Sequence, residues 1–360
     1  MTKKKISELR NKIDSLDQKI VRLLNQRAGL AMTIGKVKSH SRTEPYVPSR
    51  EKIIMNNITK TSRGPLPSSA LFSIYREIMS ASLALEKNVK VAYLGPPATF
   101  SHQAAIRRFG GSIGYLPCET IDDVFDRVQR KDADYGVVPV ENSIEGAVVN
   151  TLDRFVDTPL KICAEIYLPI RHYLLAAGPR NGVRRIMSNP NVFGQCRKFL
   201  RSEMPQAELI PAASTARAAE MAAANKQTAA IAGRLAAEVY RLKILNADIQ
   251  DVSGNMTRFL VVGKSPAEKT GDDKTSLVFS VKHCAGALHR ALGSFRKYNL
   301  NMTKIESRPS RLKAWEYLFF VDIEGHLANI NVRKALHDLE KHCLLLTILG
   351  SYPKAIEFIE

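Results

Sequence analysis

The sequence has few cysteines and only short apolar runs. Its five cysteines among 360 residues lie far apart, with no Cys-x-x-Cys pair and no Cys/His pair at zinc-ligand spacing. No apolar run approaches the ~18 residues that a membrane-spanning helix needs, and no apolar signal core follows the opening Met-Thr-Lys-Lys-Lys. We therefore expect a protein of the reduced cytoplasm that holds no structural metal and enters no membrane.

Motifs for cofactor binding and hydrolysis are missing as well. The sequence has no GxGxxG after a predicted strand, no Walker A string, no GxSxG and no HExxH. His337 and His342 stand five residues apart on a predicted helix with an ample solvent face, which is not a metal-binding pattern. We expect neither serine hydrolysis nor any cofactor.

Acidic residues are too few to balance the basic ones. The 53 lysines and arginines exceed the 35 acidic residues by 18, and residues 1–90 alone contain 18 basic and 7 acidic side chains. This excess favours an anionic partner. Nucleic-acid binding through residues 1–90 would need exposed aromatics between the basic residues, and only Tyr46, Phe72 and Tyr75 occur there. An acidic membrane surface or a small polyanionic substrate would also account for the excess, and charge alone does not choose among these partners.

Three consecutive segments differ in periodicity, and we predict domains over 1–88, 89–265 and 274–360. The first is all-α: apolar residues at helical spacing predict one long helix over 6–37, and shorter helices over 50–59 and 68–85. A helix of that length cannot bury its apolar stripe alone, so it must pack on the other two or on a second copy of itself.

The second and third segments mix helices with strands. From residue 89 to 262 short apolar runs alternate with helical windows, which predicts an α/β domain with a largely parallel sheet. After a polar linker over 265–273, the predicted order is strand, helix, strand, strand, helix, strand, the βαββαβ order of an α+β, ferredoxin-like domain.

Basic residues lie close to the apolar stripe of the first helix. Arg27 and Lys38 are eleven residues apart and return to within about 20° of the same face. A charge near an apolar stripe is costly unless it is paired, although solvated basic faces would give the same spacing. Guanidinium and ammonium groups facing a bundle interior would suit a dicarboxylate ligand.

Several strings of the first segment closely resemble the all-helical chorismate mutases. They are Leu24-Asn25-Gln26-Arg27, Gly35-Lys36-Val37-Lys38, Tyr46 to Glu51 and Glu77 to Glu86. The resemblance implies two intertwined chains, arginines that hold the carboxylates of chorismate and a lysine at its ether oxygen. Many members have Gln at the position of Glu86, and a carboxyl group donates to an ether only when protonated, so we expect mutase activity to rise toward acid pH. The implied site residues are Arg10 of a second chain, Arg27, Lys38, Arg50, Glu51, Ser82 and Glu86, of which Arg27, Lys38 and Glu86 are assigned to catalysis.

Strings of the second segment resemble prephenate dehydratase. Tyr93 to His102, Val138 to Ala147 and Asn255 to Phe259 each join a strand end to polar groups, although an ordinary helix cap would explain the first alone. The resemblance implies a two-lobed fold like that of periplasmic binding proteins, with Thr257 as the group that assists the leaving hydroxyl. Ala98 replaces a family glycine, which puts the local turn geometry in question. The implied site residues are Thr99, Ser101, Glu141, Asn142, Ser143, Ser214, Thr257, Arg258 and Phe259.

Two strings of the third segment resemble those with which ACT regulatory domains bind phenylalanine between subunits. They are Gly286-Ala287-Leu288-His289 and Glu306-Ser307-Arg308-Pro309, with Ala285 where the family often has proline. Together the resemblances imply a bifunctional enzyme that converts chorismate through prephenate to phenylpyruvate, inhibited by phenylalanine and assembled as a homodimer or tetramer. A folded module without ligand would also fit the third segment. A non-catalytic amino-acid sensor built from the second and third segments is the alternative, but it would not need Thr257 beside Arg258.

Overall fold

A computed structural model describes residues 2–41, 46–310 and 316–355 of the chain. The outer ends of the predicted first and third domains, and residues 42–45 and 311–315 within them, lie outside the described residues. The chain groups into two compact units: one contains residues 1–47, 55–89 and 109–114, and the other contains 48–54, 90–108 and 115–360. Within the described ranges, no helix is both long enough and apolar enough to cross a membrane.

Three helices precede the first strand: α1 (Thr2–Ser41), α2 (Pro48–Thr61) and α3 (Ser68–Glu86). Helix α1 is longer than predicted, at 40 residues. Pro48 stands at the first position of α2, where its missing N–H costs nothing. Residues 3–26 of α1 are exposed on every face, so no other described residue of this chain covers the apolar stripe predicted there.

The next part of the chain builds two lobes, each around its own sheet. The first sheet has the order β2-β1-β3-β11-β5, with β4 paired to β3. Its elements are β1 (Lys90–Leu94), α4 (Phe100–Phe109), β2 (Gly114–Cys118), α5 (Ile121–Gln129), β3 (Tyr135–Asn142), β4 (Gly146–Ala147), α6 (Val149–Arg154), β5 (Lys161–Pro169) and, much later, β11 (Met256–Gly263).

This first sheet is mixed, and the prediction of a largely parallel sheet is wrong. Strand β1 runs parallel to β3, but β11 runs antiparallel to both β3 and β5. The reason is the connection: β5 leads the chain out to the second lobe, and β11 brings it back in the opposite direction beside it.

The second lobe has the sheet order β10-β6-β9-β7-β8. Its parallel strands β7, β8 and β9 pack on the surrounding helices through one alanine-rich face and one face of mixed aliphatic residues. Its elements are β6 (Tyr173–Ala176), a 3₁₀ turn (Arg180–Gly182), β7 (Arg185–Ser188), α7 (Pro190–Gln195), α8 (Arg197–Glu203), β8 (Glu208–Pro211), α9 (Thr215–Ala223), β9 (Thr228–Ala232), α10 (Arg234–Val239) and β10 (Lys243–Asn246).

The C-terminal part has the predicted order of strands and helices. Its antiparallel sheet, β13-β14-β12-β15, buries one face under two amphipathic helices around Phe279, Phe295 and Leu339. The elements are β12 (Asp273–Val281), α11 (Ala287–Lys297), β13 (Met302–Pro309), β14 (Tyr317–Glu324), α12 (Ile330–Glu340) and β15 (Cys343–Pro353).

Candidate active sites

Helices α1 and α3 bring four of the residues predicted for the mutase site together in two pairs. Arg27 donates from Nη1 to Ser82 Oγ over 2.5 Å, and Lys38 Nζ lies 3.6 Å from Glu86 Oε2. Glu86 Oε2 is buried and receives no hydrogen bond from the described part of the chain. This oxygen lies close to an ammonium group without a hydrogen bond from the described residues, so it is available to a bound ligand.

Gly35 of α1 lies against Glu86 of α3, and its lack of a side chain leaves space for that glutamate. A Cβ built on Gly35 would lie 3.1 Å from both Cβ and Cγ of Glu86 and 3.2 Å from its Cα. Those distances are tighter than ordinary van der Waals contact, so a side chain at residue 35 would require Glu86 to move by a few tenths of an ångström.

The other three residues of that predicted set lie elsewhere. Arg10 is exposed on α1. Arg50 and Glu51 lie in the first turn of α2, which belongs to the second unit. Arg50 is exposed, whereas Glu51 forms an ion pair of 2.8 Å with Arg108 of α4. Within its unit, Glu51 thus faces the dehydratase-like lobe.

Strand directions gather the predicted dehydratase residues at one edge of the first sheet. Strands β1 and β3 run the same way and β11 runs against them, so the ends of β1 and β3 meet the start of β11. The register pairs Thr257 with Asn142 directly. Thr99 follows β1 in sequence, at the same edge.

The amide of Asn142 organises this edge. Its Nδ2 donates to Thr257 Oγ1 over 2.8 Å and to Asn255 Oδ1 over 2.7 Å, and its Oδ1 accepts from the backbone N–H groups of Ile144 and Glu145. Thr257 is 8% exposed, and accepting from Asn142 is its only side-chain hydrogen bond among the described residues. Its own hydroxyl proton is therefore available to a ligand. Asn255, whose oxygen fixes the Asn142 amide, was not among the predicted site residues.

Arg258 does not hold the place expected from the motif. We expected it to bind substrate carboxylates, but extended backbone sends it to the face opposite Thr257. Its guanidinium donates to Glu165, Asp322 and Tyr352 over 2.9, 2.5 and 2.9 Å, and the residue is 5% exposed. Burial disfavours its charge, yet Tyr352, Asp322 and Glu165 together hold the pKa of Arg258 well above its ordinary value. It joins β11 to the C-terminal sheet instead.

Glu141 behaves in the same way. It precedes Asn142 on β3, and its carboxylate pairs with Lys304 of β13 over 2.8 Å. The carboxylate also lies 4.0 Å from Arg258 Nη1. Phe259 is 1% exposed and packs in the core of the lobe, so it supports the strand and does not line an open site.

The remaining predicted residues cap and close the edge. Thr99 donates from Oγ1 to Leu94 O over 2.8 Å and accepts from His102 N, as a helix N-cap does. Ser101 is buried in the first turn of α4. Ser143 Oγ accepts from Met256 N over 2.9 Å, which ties the two strand ends, and Ser214 caps α9 in the second lobe.

Ala98 adopts the conformation that a glycine would favour. Its φ is +70°, and its residue is 3% exposed. Its N–H donates to His102 Nδ1 over 3.1 Å, and burial lowers the pKa of that histidine. This conformation is left-handed, which costs a residue with a Cβ about 1–2 kcal/mol.

A hydrogen-bonded chain that the sequence did not predict joins the two lobes. Gln195 of the second lobe donates from Nε2 to Glu145 Oε1 of the first over 2.8 Å. Its Oε1 faces His172 Nε2 at 2.8 Å, so His172 carries its proton on that nitrogen. His172 is 1% exposed, burial lowers its pKa, and its Nδ1 has no partner among the described residues. Glu145 and Gln195 stood in motif strings, but nothing in the sequence marked His172.

Further contacts hold the lobes closely together. Tyr240 Oη donates to Pro97 O over 3.2 Å, and a Cβ on Gly233 would lie 3.0 Å from the Phe100 ring. Helix α4 and Thr257 belong to the first lobe and α9 to the second, and the hydroxyls of Thr99 and Ser214 cap the two helix starts. Such a cleft can bind an anion between two helix starts and present a neutral donor to it.

The two strings of the C-terminal part lie in different places. Gly286 takes φ +74° at the start of α11, and Ala287 and Leu288 line a cavity of about 150 Å³ with Cys284, Tyr317 and Phe319. His289 is exposed on α11. The run from Glu306 to Pro309 occupies the edge strand β13, where Arg308 pairs with Asp153 at 3.5 Å.

Comparisons with known proteins match nearly the whole chain. The family model for chorismate mutase type II matches residues 9–87, and that for prephenate dehydratase matches residues 91–267. A bifunctional chorismate mutase/prephenate dehydratase from Aquifex aeolicus is 49% identical over 356 residues, which is 98% of this chain and 98% of that protein.

Two solved structures share the part of the chain after the helices. A prephenate dehydratase from Arthrobacter aurescens in complex with L-Phe has a TM-score of 0.68 and 32% identity, over 74% of this chain and 90% of that one. A structure described as GqqA, a novel type of quorum quenching acylase, also has a TM-score of 0.68, with 29% identity over 74% of this chain and 98% of that one.

Proposed function

The chain belongs to the family of bifunctional chorismate mutase/prephenate dehydratases, and we propose that the two groups of side chains described above carry its two reactions. It is an enzyme that rearranges chorismate to prephenate and converts prephenate to phenylpyruvate, on the phenylalanine branch of aromatic biosynthesis. Both substrates carry two carboxylates, which suits the basic excess of residues 1–90.

For the mutase we assign the carboxylates of chorismate to Arg27 and Arg50, and its ether oxygen to Lys38 and Glu86. The reaction breaks the ether C–O bond and forms a C–C bond within one molecule, so no nucleophile and no external proton is needed. Holding the reactive conformer and stabilising the polarised ether supply the rate. The 3.6 Å distance between Lys38 Nζ and Glu86 Oε2 supports this assignment, since one ether oxygen can lie within hydrogen-bond reach of both groups.

We propose a second copy of the chain as the partner of α1, with Arg10 entering the site of that copy. Helix α1 spans about 60 Å, and its stripe includes Ile13, which is 55% exposed. Ile13→Asp should lower the sedimenting mass and mutase turnover together. Ile330→Asp is the control, because Ile330 is 60% exposed on the C-terminal part. A dimer that persists in Ile13→Asp, with full mutase activity, would count against this pairing.

The dehydratase assignment rests on one observation: Asn142 donates to Thr257, so Thr257 keeps its own proton for a ligand. Prephenate breaks the bond to its ring carboxylate and releases CO₂. The freed electron pair aromatises the ring and expels the C4 hydroxyl, which leaves as water once it is protonated. Thr257 is the donor that we place at that hydroxyl. With Arg258 turned away, we assign the carboxylates to the helix starts at Thr99 and Ser214.

One assay tests both reactions. Purified protein given chorismate should consume it and form phenylpyruvate. Thr257→Val should consume chorismate at the normal rate and accumulate prephenate, whereas dehydratase turnover retained in that variant would refute the assignment. If wild-type protein turned over neither substrate, the alternative of a non-catalytic amino-acid sensor would be favoured.

We further propose that the C-terminal part is an ACT regulatory domain of ferredoxin-like fold and that it binds phenylalanine at the turn of Gly286. The relative from Arthrobacter aurescens, described in complex with L-Phe, supports this choice of ligand. The N–H groups of a left-handed turn before a helix suit an amino-acid carboxylate. Arg258 offers a route to the dehydratase, since it bonds to Asp322 and is adjacent to Thr257.

Gly286→Ala tests this regulation. The added Cβ is strained at φ +74° and would lie 3.1 Å from Arg290 Nη1, so inhibition of phenylpyruvate formation by phenylalanine should weaken while basal turnover stays. Gly293→Ala, on the same helix with nothing within 4 Å, is the control. Equal inhibition in both variants would exclude this turn as the binding site.

A further inference from the structure

The start of α2 buries two polar side chains. Ser49 is 2% exposed, and Lys52 is 8% exposed. Both belong with the second unit and not with the remainder of the helix. A buried lysine is costly unless acceptors surround its charge, so its partners indicate what it does.

The ammonium group of Lys52 is fully satisfied. It donates to Asp272 O over 2.7 Å, to Asp272 Oδ2 over 2.8 Å and to Lys354 O over 3.2 Å. Three donors thus meet three acceptors, which is the complete complement for a lysine. Burial alone would raise the pKa of Asp272, but the hydrogen bond from Lys52 lowers it below its ordinary value.

The acceptors lie beside the start of β12 and the end of β15, the first and last strands of the C-terminal domain. Asp273 opens β12 and pairs in register with Pro353 at the end of β15. Lys354 N also donates to Asp272 O over 3.1 Å. Lys52 therefore binds the point at which the C-terminal domain begins and ends.

Two neighbours of Lys52 also contact residues outside α2. Glu51 pairs with Arg108 over 2.8 Å, and Ser49 Oγ lies 3.4 Å from Glu268 Oε2. Arg50, between them, is exposed. Residues two apart on a helix point about 200° away from each other, so burying Lys52 turns Arg50 outward.

We propose that Lys52 is a positioning residue for the mutase: seated in the acceptors of Asp272 and Lys354, it fixes the first turn of α2 and the direction of Arg50. The mutase then depends on the C-terminal domain, to which α2 is tied. This inference rests on the proposed role of Arg50 in binding chorismate.

The test uses the full chain. Lys52→Met should raise the KM for chorismate by about tenfold, with a smaller change in kcat, because a binding arginine is misplaced and the reacting centre is not. Dehydratase turnover on supplied prephenate should stay within about twofold. Lys60→Met is the control, since Lys60 is exposed in the last turn of the same helix.

Asp272→Ala gives an independent arm, because its side chain is 61% exposed and takes no part in either site. It should raise the same KM by a smaller factor, and the double variant should be no worse than Lys52→Met alone. Additive effects, or an unchanged KM in Lys52→Met with normal dehydratase turnover, would overturn the proposal. Wild-type protein without mutase turnover would instead refute the mutase assignment, and the inference would fall with it.

Discussion

Gly35→Ala offers a sharp test of the mutase geometry, because two opposing effects can be separated. Alanine in place of a glycine within a helix stabilises it by about 1 kcal/mol. At Gly35 the new methyl group would meet Glu86 at 3.1 to 3.2 Å. Overpacking of this kind typically costs about 1–3 kcal/mol, so the net free energy of unfolding should be unchanged or lower by up to about 2 kcal/mol.

Gly29→Ala is the matched control. Gly29 lies on the same helix with nothing within 4 Å of an added Cβ, so only the helix-propensity gain applies. We expect this variant to be more stable by about 1 kcal/mol, with unchanged mutase kinetics. The difference between the two variants then isolates the contact with Glu86.

Mutase activity is the decisive readout. The methyl group added in Gly35→Ala can be accommodated only if Glu86 shifts by a few tenths of an ångström, away from its position 3.6 Å from Lys38. We expect kcat/KM for chorismate to fall by about tenfold, with dehydratase turnover on prephenate unchanged. If Gly35→Ala gained as much stability as Gly29→Ala and kept full mutase activity, Glu86 would not be held by this close approach.

Three further predictions concern the second unit. Arg258→Met should lower the free energy of unfolding in urea by about 3–5 kcal/mol, because it leaves the buried Asp322 carboxylate without its cation and Glu165 with Lys274 alone. A loss below about 1 kcal/mol would show that the cluster is loosely held. Burial lowers the pKa of His172 below 6.5, so His172 binds a proton more readily in the unfolded chain than in the folded protein. The free energy of unfolding should therefore fall as pH drops from about 6.5 toward the folded pKa. His172→Gln should remove that part of the pH dependence, and an unaltered profile would contradict this prediction. Ala98→Gly removes about 1–2 kcal/mol of strain from the left-handed backbone. Glycine also makes the unfolded chain more flexible, which lowers the free energy of unfolding by about 0.5–1 kcal/mol. We expect the melting temperature to rise slightly or stay level, and a clear fall would show that Ala98 is unstrained.

Local patterns in the sequence predicted the elements well. Helical spacing gave the three N-terminal helices, although α1 extends four residues beyond the apolar pattern at each end. Its polar ends carry no apolar residue, so periodicity could not mark them. The order of elements after the linker was also predicted, because amphipathic helices and alternating strands repeat there over short distances.

Arrangement across the sheet could not be predicted in the same way. The direction of β11 depends on where the chain returns after an excursion of some 86 residues, from Ile170 to Asn255, and no local pattern records that. The same holds for His172 and Asn255, which act through partners far away in sequence. In the sequence Lys52 resembles any solvated lysine, because its acceptors on Asp272 and Lys354 reach it only through the fold.

The direction of the Arg258 side chain depends on backbone geometry, which a resemblance between motifs does not describe. Thr257 and Arg258 are adjacent in the motif, and the resemblance to prephenate dehydratase implied that both contact the substrate. In a strand, neighbouring side chains leave opposite faces, so only one of them can reach the cleft. Their polar partners differ: Asn142 meets Thr257, while Glu165 and Asp322 meet Arg258, and this supports our proposal that Thr257 faces the substrate. Glu141 repeats the division on β3, one residue before Asn142. Alternation applied to the two strands would have placed Glu141 and Arg258 on the side of the C-terminal sheet, and Asn142 and Thr257 on the opposite side, from the sequence alone.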